Sequence, residues 1–224
     1  GSLDDQLTSV SLMPDGGFIV VGSTQSSDFD LIHRTRSTED FDIWVRRYDA
    51  SFNLVWERFL GGSSDDFGLA VLLLSNGDLL IGADSESADG DALLAPAEHR
   101  HHGGPGGHRD YFLARLSSQG QTQWVRSFGG TNHEYLSQVI ETRDGHLAVY
   151  GRTESFDGDV QGFRGEYDGW LVKFTQDGRP LWSRTVGGEM WDWGSNLMPT
   201  FDGGVLVSNY FFSWDADAEG NHGD

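Results

Sequence analysis

Short apolar runs recur along the whole chain, each broken by glycine next to Asp or Asn. Four pairs of runs flank such a turn. They are SVSLM and FIVVG around Asp15-Gly16-Gly17, LAVLLL and LLIGA around Asn76-Gly77-Asp78, SQVIE and LAVYG around Asp144-Gly145-His146, and SNLM and VLVSN around Asp202-Gly203-Gly204. An Asp-Gly or Asn-Gly between apolar runs is the strongest short hairpin signal, so each pair predicts two antiparallel strands, a and b. A third run follows Asp42 (IWVRRY), Asp110 (YFLARL) and Asp168 (GWLVKF), and a fourth carries tryptophan and ends in Gly-Gly: VWERFLGG, QWVRSFGG and LWSRTVGG. These are strands c and d. No stretch sustains a helical period, which predicts almost no helix.

The spacing of these runs is regular. Asp42 to Asp89, Asp110 to Asp157 and Asp168 to Asp215 are each 47 residues apart. All variation in length falls between an Asp-x-Asp pair and the next Asp-led strand. A body of constant length with one elastic loop is a repeating folded unit. Four antiparallel strands per repeat of this length predict an all-β fold, a β-propeller of four-stranded antiparallel blades, with about three and a half blades in this chain. The expected division is 3–62 for blade 1, 63–130 for blade 2, 131–188 for blade 3 and 189–224 for the first half of blade 4. Strands a and b are nearly continuous in apolar residues, as strands covered on both faces are. Blade 4 has only these two, which leaves VLVSNYFF as an apolar edge. The expected partner there is a further chain segment or a second chain completing the blade.

Charge narrows the function. Lys and Arg number 15 against 35 Asp and Glu, a formal net charge of −20, and one residue, Lys173, is a lysine. Nucleic acid is excluded as a partner, since phosphate binding needs clustered cations. There is no cysteine, hence no disulfide or thiolate chemistry. No apolar run reaches the ~18 residues of a membrane span. Cations recur at Arg47, Arg115 and Lys173 and again at Arg58, Arg126 and Arg184, and are expected to pair with neighbouring carboxylates.

The candidate site is the Asp-x-Asp loop after each strand b: Asp28/Asp30, Asp89/Asp91, Asp157/Asp159 and Asp215/Asp217. In a blade the b–c loop and the d–a junction emerge on the same face, so these carboxylates share it with Asp4/Asp5, Asp65/Asp66 and Glu189/Asp192. Paired short carboxylates beside glycine suit calcium, which takes several oxygens from a flexible turn. Such residues also make turns by bonding nearby backbone amides, and recurrence in every repeat favours that structural role. A second candidate is the insertion Ala95–Arg109, with His99, His101, His102 and His108; its spacing fits no ordered metal site. Trp191, Trp193 and Trp214 are either packing residues or an aromatic platform for carbohydrate. No nucleophile elbow, phosphate loop or HExxH helix occurs, so no catalytic or cofactor-binding residue is assigned.

The run GSTQSSDFD from Gly22, the Asp-led strands and the junction Gly61-Gly62-Ser63-Ser64-Asp65-Asp66 resemble a bacterial β-propeller repeat family of secreted and surface proteins, the seven-bladed-propeller type. More distantly, Gly120 to Trp124 and Gly178 to Trp182 are similar to quinoprotein-like repeats, from which blade 1 departs with Phe52-Asn53. The resemblance implies an exported protein, extracellular, periplasmic or on the cell surface. It also implies a non-catalytic binding and scaffolding module with a protein or carbohydrate partner on its acidic loop face. The alternative is part of an enzymatic propeller, carbohydrate-active or quinone-dependent, with its active site completed outside this chain. Fold alone does not decide between them.

Overall fold

A computed structural model of the chain describes residues 1–28, 34, 40–95, 107–215 and 217. Among these residues, strands form three four-stranded antiparallel sheets and one two-stranded sheet, each in sequence order. The first sheet is β1 (Asp5–Leu12), β2 (Phe18–Thr24), β3 (Asp42–Tyr48) and β4 (Leu54–Leu60). The second is β5 (Asp66–Leu73), β6 (Leu79–Ser85), β7 (Asp110–Leu116) and β8 (Thr122–Phe128). The third is β9 (Glu134–Glu141), β10 (Leu147–Thr153), β11 (Asp168–Phe174) and β12 (Pro180–Val186). Last come β13 (Asp192–Pro199) and β14 (Val205–Phe211). The fold is all-β, built of the four-stranded blades of a β-propeller, as the pattern of apolar runs predicts. The chain divides into two compact units, residues 1–101 with 112–127, and residues 102–111 with 128–224.

The turns explain the repeated glycines. Gly16, Gly77, Gly145 and Gly203, between the first two strands of each sheet, have φ between +77° and +89°, where a side chain is strained. The third-to-fourth turns use Gly120 and Gly178 in the same way. In the first sheet Phe52 takes that conformation instead, at φ 65°. Asp49 holds the turn by accepting the amides of Ser51 and Asn53 at 2.8 and 2.9 Å, and the Phe52 ring lies 5.3 Å from Phe18.

A buried cation on the third strand ties each four-stranded sheet to its first turn. Arg47 pairs with Asp15, Arg115 with Asp78 at 2.7 Å, and Lys173 with Asp144 at 2.6 Å. Lys173 also donates to Gly203 O at 2.8 Å. The ammonium beside Asp144 lowers its carboxyl to about 2.

Within each unit, consecutive sheets meet through a bulge in the first strand. The register skips Thr8 in β1 and Ser137 in β9. The freed Thr8 hydroxyl donates to Gly68 O at 2.7 Å, and that of Ser137 to Gly194 O at 2.8 Å. Such approach requires glycine. A Cβ on Gly68 would collide with Gly22 O and lie 2.9 Å from Ile43, and one on Gly194 would collide with Gly151 O and lie 2.8 Å from the Tyr150 ring. Beneath these contacts lie the cores. In the first unit Ile19, Val21, Ile43 and Val45 join Val71, Leu79, Ile81 and Phe112. In the second, Ile140, Ala148, Tyr150 and Leu171 join Leu197, and Tyr111 stacks on buried Trp170 at 4.9 Å.

Gly194→Ala is therefore expected to destabilise the chain by ~1–3 kcal/mol through overpacking. Gly145→Ala, with nothing within 4 Å of its Cβ, should cost only the ~1 kcal/mol of its strained φ. Urea unfolding of both variants checks the order, and a smaller loss at Gly194 than at Gly145 would contradict the close approach.

Candidate functional site

Each junction between the last strand of one sheet and the first of the next carries Gly-Gly, at Gly61-Gly62, Gly129-Gly130 and Gly187-Gly188. Immediately beyond, at the start of the new strand, lies a carboxyl with no solvent exposure: Asp66, Glu134 or Asp192. The second strand of the same sheet ends in hydroxyls that clamp it. Asp66 accepts Ser85 Oγ, Ser87 Oγ at 2.8 Å and the Gly62 amide at 2.7 Å. Glu134 accepts Thr153 Oγ1 at 2.6 Å and the Gly130 amide at 2.8 Å. Asp192 accepts Ser213 Oγ at 2.6 Å and the amides of Gly188, Phe212 and Ser213 at 2.7, 3.0 and 3.2 Å. At the start of the chain Asp5 takes Thr24 Oγ1, and Ser26 Oγ at 3.2 Å. The spacing Ser/Thr-x-Ser at 24/26, 85/87 and 153/155 is the signal for this clamp, and it is visible in the sequence. Read from composition alone, these residues pass for ordinary loop.

A second buried carboxyl faces the first. Asp42, Asp110 and Asp168, which open the third strands, are at most 2% exposed. A single Cβ on Gly61 would meet both Asp66 and Asp42; one on Gly129, both Asp110 and Glu134; one on Gly187, both Asp168 and Asp192. The pairs differ in how their charge is handled. Asp42 is neutralised by buried Arg34, whose Nε lies 2.6 Å away. Asp168 accepts the Arg164 amide on Oδ2 at 2.9 Å, while its buried Oδ1 has no hydrogen-bond donor. Burial disfavours the charged form and raises Asp66 to about 7, with the Asp42 charge adding to the effect. By the same cause Glu134 rises to about 8, helped by Asp110, and Asp168 to about 6, helped by Asp192. Two carboxyls in one dry site are stable together when one keeps its proton.

The Asp-x-Asp loops close over these junctions. Asp89 accepts the Ser63 amide at 2.7 Å, while Asp91 accepts the Gly61 amide at 3.0 Å and donates its own amide to Gly61 O at 2.9 Å. Asp157 accepts the Thr131 amide at 2.8 Å; Asp159 accepts the Gly129 amide at 3.2 Å and returns its own to Gly129 O at 2.9 Å. Asp215 accepts the Glu189 amide at 3.0 Å, and Asp217 lies 3.7 Å from Arg164. Asp28 accepts the Ser2 amide at 2.9 Å, whereas Asp30 lies outside the described residues. The middle glycines, Gly90 and Gly158, bend the loop with φ of 60° and 63°.

Calcium takes six to eight oxygens at one point. In the pairs 89/91 and 157/159 one carboxylate faces the amide two residues beyond the partner of the other, and among the described residues no group of three or more His, Asp or Glu converges to hold a metal ion. In the described loops these carboxylates act as hydrogen-bonded staples. Of the histidine tract, His99, His101 and His102 lie outside the described residues. His108 sits 4.9 Å from His133, whose Nδ1 accepts the Arg109 amide at 3.3 Å. The aromatic groups weighed as a platform or as packing are partly covered by the chain itself. The Arg152 guanidinium covers Tyr135, Tyr167 and Trp193 at 4.1, 5.1 and 5.7 Å, and Trp191 donates to Glu166.

No family model matches the chain. It is similar to the regulatory protein FlaEY of Caulobacter vibrioides, with 25% identity over 142 residues that cover 61% of this chain and 14% of that protein. Two crystal structures of puromycin hydrolase, one an S511A mutant complexed with PGG, align over 91% of this chain and 28% of theirs. Their sequence identity is 16% and the TM-score 0.48, and likeness of that degree says nothing about chemistry. The chain thus spans 14% of the length of the Caulobacter relative and 28% of each puromycin hydrolase chain.

The buried carboxyls predict an unusual dependence on pH. Below about pH 4 both the folded and unfolded chains carry these protons. Between that and the raised values of Asp66 and Glu134, about 7 and 8, only the folded chain does, so stability falls as pH rises. Asp144, lowered to about 2, loses its contribution only far below this window. Melting temperature is expected to decline from pH 5 to pH 9. Glu134→Gln, which carries no charge at any pH, should flatten the decline, whereas an unchanged slope in that variant would show that Glu134 is ionised throughout.

Proposed function

We propose that this chain is a non-catalytic β-propeller module, a binding and scaffolding segment of an exported or cell-surface bacterial protein. The observation that carries the reading is the equivalence of the junctions. The same pair of buried carboxyls occurs beside Gly61, Gly129 and Gly187, and next to each the leading Asp of the loop, Asp89, Asp157 or Asp215, accepts the amide of Ser63, Thr131 or Glu189. Catalysis needs a carboxyl that substrate can reach, and these are at most 2% exposed. Asp66, Glu134 and Asp192 already accept hydroxyl and amide hydrogens, which gives them a structural task in every repeat. The naming of the Caulobacter relative as a regulatory protein is compatible with a role outside catalysis. With a net charge of −20, the loop face suits a protein or carbohydrate partner and repels polyanions.

Substitution of the staples tests this. Asp89→Ala and Asp157→Ala should each remove about 1 kcal/mol, a drop of ~2–4 °C in melting temperature for a chain of this size. Because the two loops lie in different sheets, the double variant should show the sum. A calorimetric calcium titration of chelator-treated protein should give no saturable heat and no thermal shift. Several bound ions with a rise in melting temperature would replace the staples with metal sites.

A further inference from the structure

The second strand of a sheet is covered in three cases and bare in the fourth. All seven residues of β6 are buried, as are six of seven in β2 and in β10. Strand β14 holds the same place, yet none of its residues is buried; Leu206 is 61% and Tyr210 65% exposed. Among the described residues its sheet partner is β13 alone.

The first unit shows what covers the equivalent place. There the second sheet brings Phe112, Ala114, Leu116 and Val125 into one core with Ile43, Val45 and Leu60 of the first. Its third-to-fourth turn receives two donors from β4: Trp56 Nε1 to Ser118 O at 3.0 Å and Arg58 Nε to Gly120 O at 2.7 Å. Gly120 lies flat on the Trp56 ring, with space for no side chain. In the second unit β12 presents the same pair, Trp182 and Arg184, two residues apart and both exposed. With Leu171, Val186, Val205 and Val207 they line an open groove of ≈ 510 Å³. The groove continues an existing interface, since Leu171, Val205 and Val207 already belong to the core between the third and fourth sheets.

We propose that this groove and the β14 edge together seat a β-hairpin of the chain's own repeat type, supplied by polypeptide outside the described residues. An extended backbone is required by the free edge of a two-stranded sheet. Backbone carbonyls in a tight Ser-x-x-Gly turn are required by the Trp and Arg donors, which take that partner in the first unit. The pairings Thr24 with Asp42 and Thr153 with Asp168 set the register, with the hairpin's leading Asp opposite Phe211. Its next apolar residues fill the groove, and its turn accepts Trp182 Nε1 and Arg184 Nε. The inference holds whether or not the module is catalytic.

The probe is a synthetic peptide with the sequence of residues 110–128, which has the leading Asp and the Ser117-to-Gly120 turn. It is added in excess to the intact chain, and in a second arm joined to the chain's end by a flexible linker, which raises its effective concentration to roughly millimolar. Hydrogen exchange in β14 is expected to slow ~10-fold or more, with a blue shift of tryptophan fluorescence that is lost in Trp182→Ala. Arg184→Ala should weaken binding, and Phe201→Ala, at a position 90% exposed outside the groove, should not. A peptide with proline in place of Leu113 should not bind. Unchanged β14 exchange in both arms overturns the proposal. So does protection that grows with protein concentration without peptide, which marks self-pairing, or saturation of the groove by an oligosaccharide alone.

Discussion

Everything in this structure is arranged around a carboxyl that has no access to water. Placing Asp66, Glu134 or Asp192 in a dry junction is costly unless hydrogen bonds or a retained proton compensate. The surroundings supply both. Hydroxyls at the end of the second strand and a Gly-Gly amide point inward, and a facing Asp shares the space. Meeting those demands places three separated pieces of chain: the last turn of one sheet, the first strand of the next, and the loop two strands on. Sheet order, junction shape and loop position follow from satisfying one group, which is why the length between an Asp-led strand and its Asp-x-Asp pair stays constant while the remainder varies.

Much of this was legible in the sequence because it depends on local chemistry. Asp-Gly and Asn-Gly turns announce hairpins, and Asp42, Asp110 and Asp168 open strands as their pattern predicts. The cations at 47, 115 and 173 find carboxylates, although their partners sit in the first turn of the same sheet. What the sequence concealed depends on closeness in space. Asp42 and Asp66 are 24 residues apart, and no pattern states that one methyl would touch both. The bulges at Thr8 and Ser137 shift register without a compositional mark. Glu134 in a place elsewhere held by Asp resembles drift until its clamp is seen. Phe52 shows the converse: the absent glycine was plain, but its replacement still adopts a left-handed backbone because Asp49 and Phe18 hold it there.

The acidic loops are the clearest lesson about function. Counted as charges, Asp89, Asp91, Asp157 and Asp159 look like a ligand set for a hard cation. Followed atom by atom, they complete backbone groups that a Gly-Gly junction would otherwise leave exposed. The same residue type serves either end, and only the direction of its oxygens distinguishes them. A raised carboxyl is similarly ambiguous: at an accessible cleft it suggests a catalytic acid, whereas at a sealed and repeated junction it is a by-product of burial.

The bulge hydroxyls carry a kinetic consequence. The bonds that join consecutive sheets connect residues 60 apart for Thr8 and Gly68, 62 for Trp56 and Ser118, 59 for Tyr111 and Trp170, and 57 for Ser137 and Gly194. That separation is set by the repeat and does not grow as repeats are added. Loop-closure entropy per sheet is therefore constant, so a longer array of this type would assemble each new sheet at about the same rate as the last. Only an event that joins the two ends of such an array would face a barrier that rises with its length.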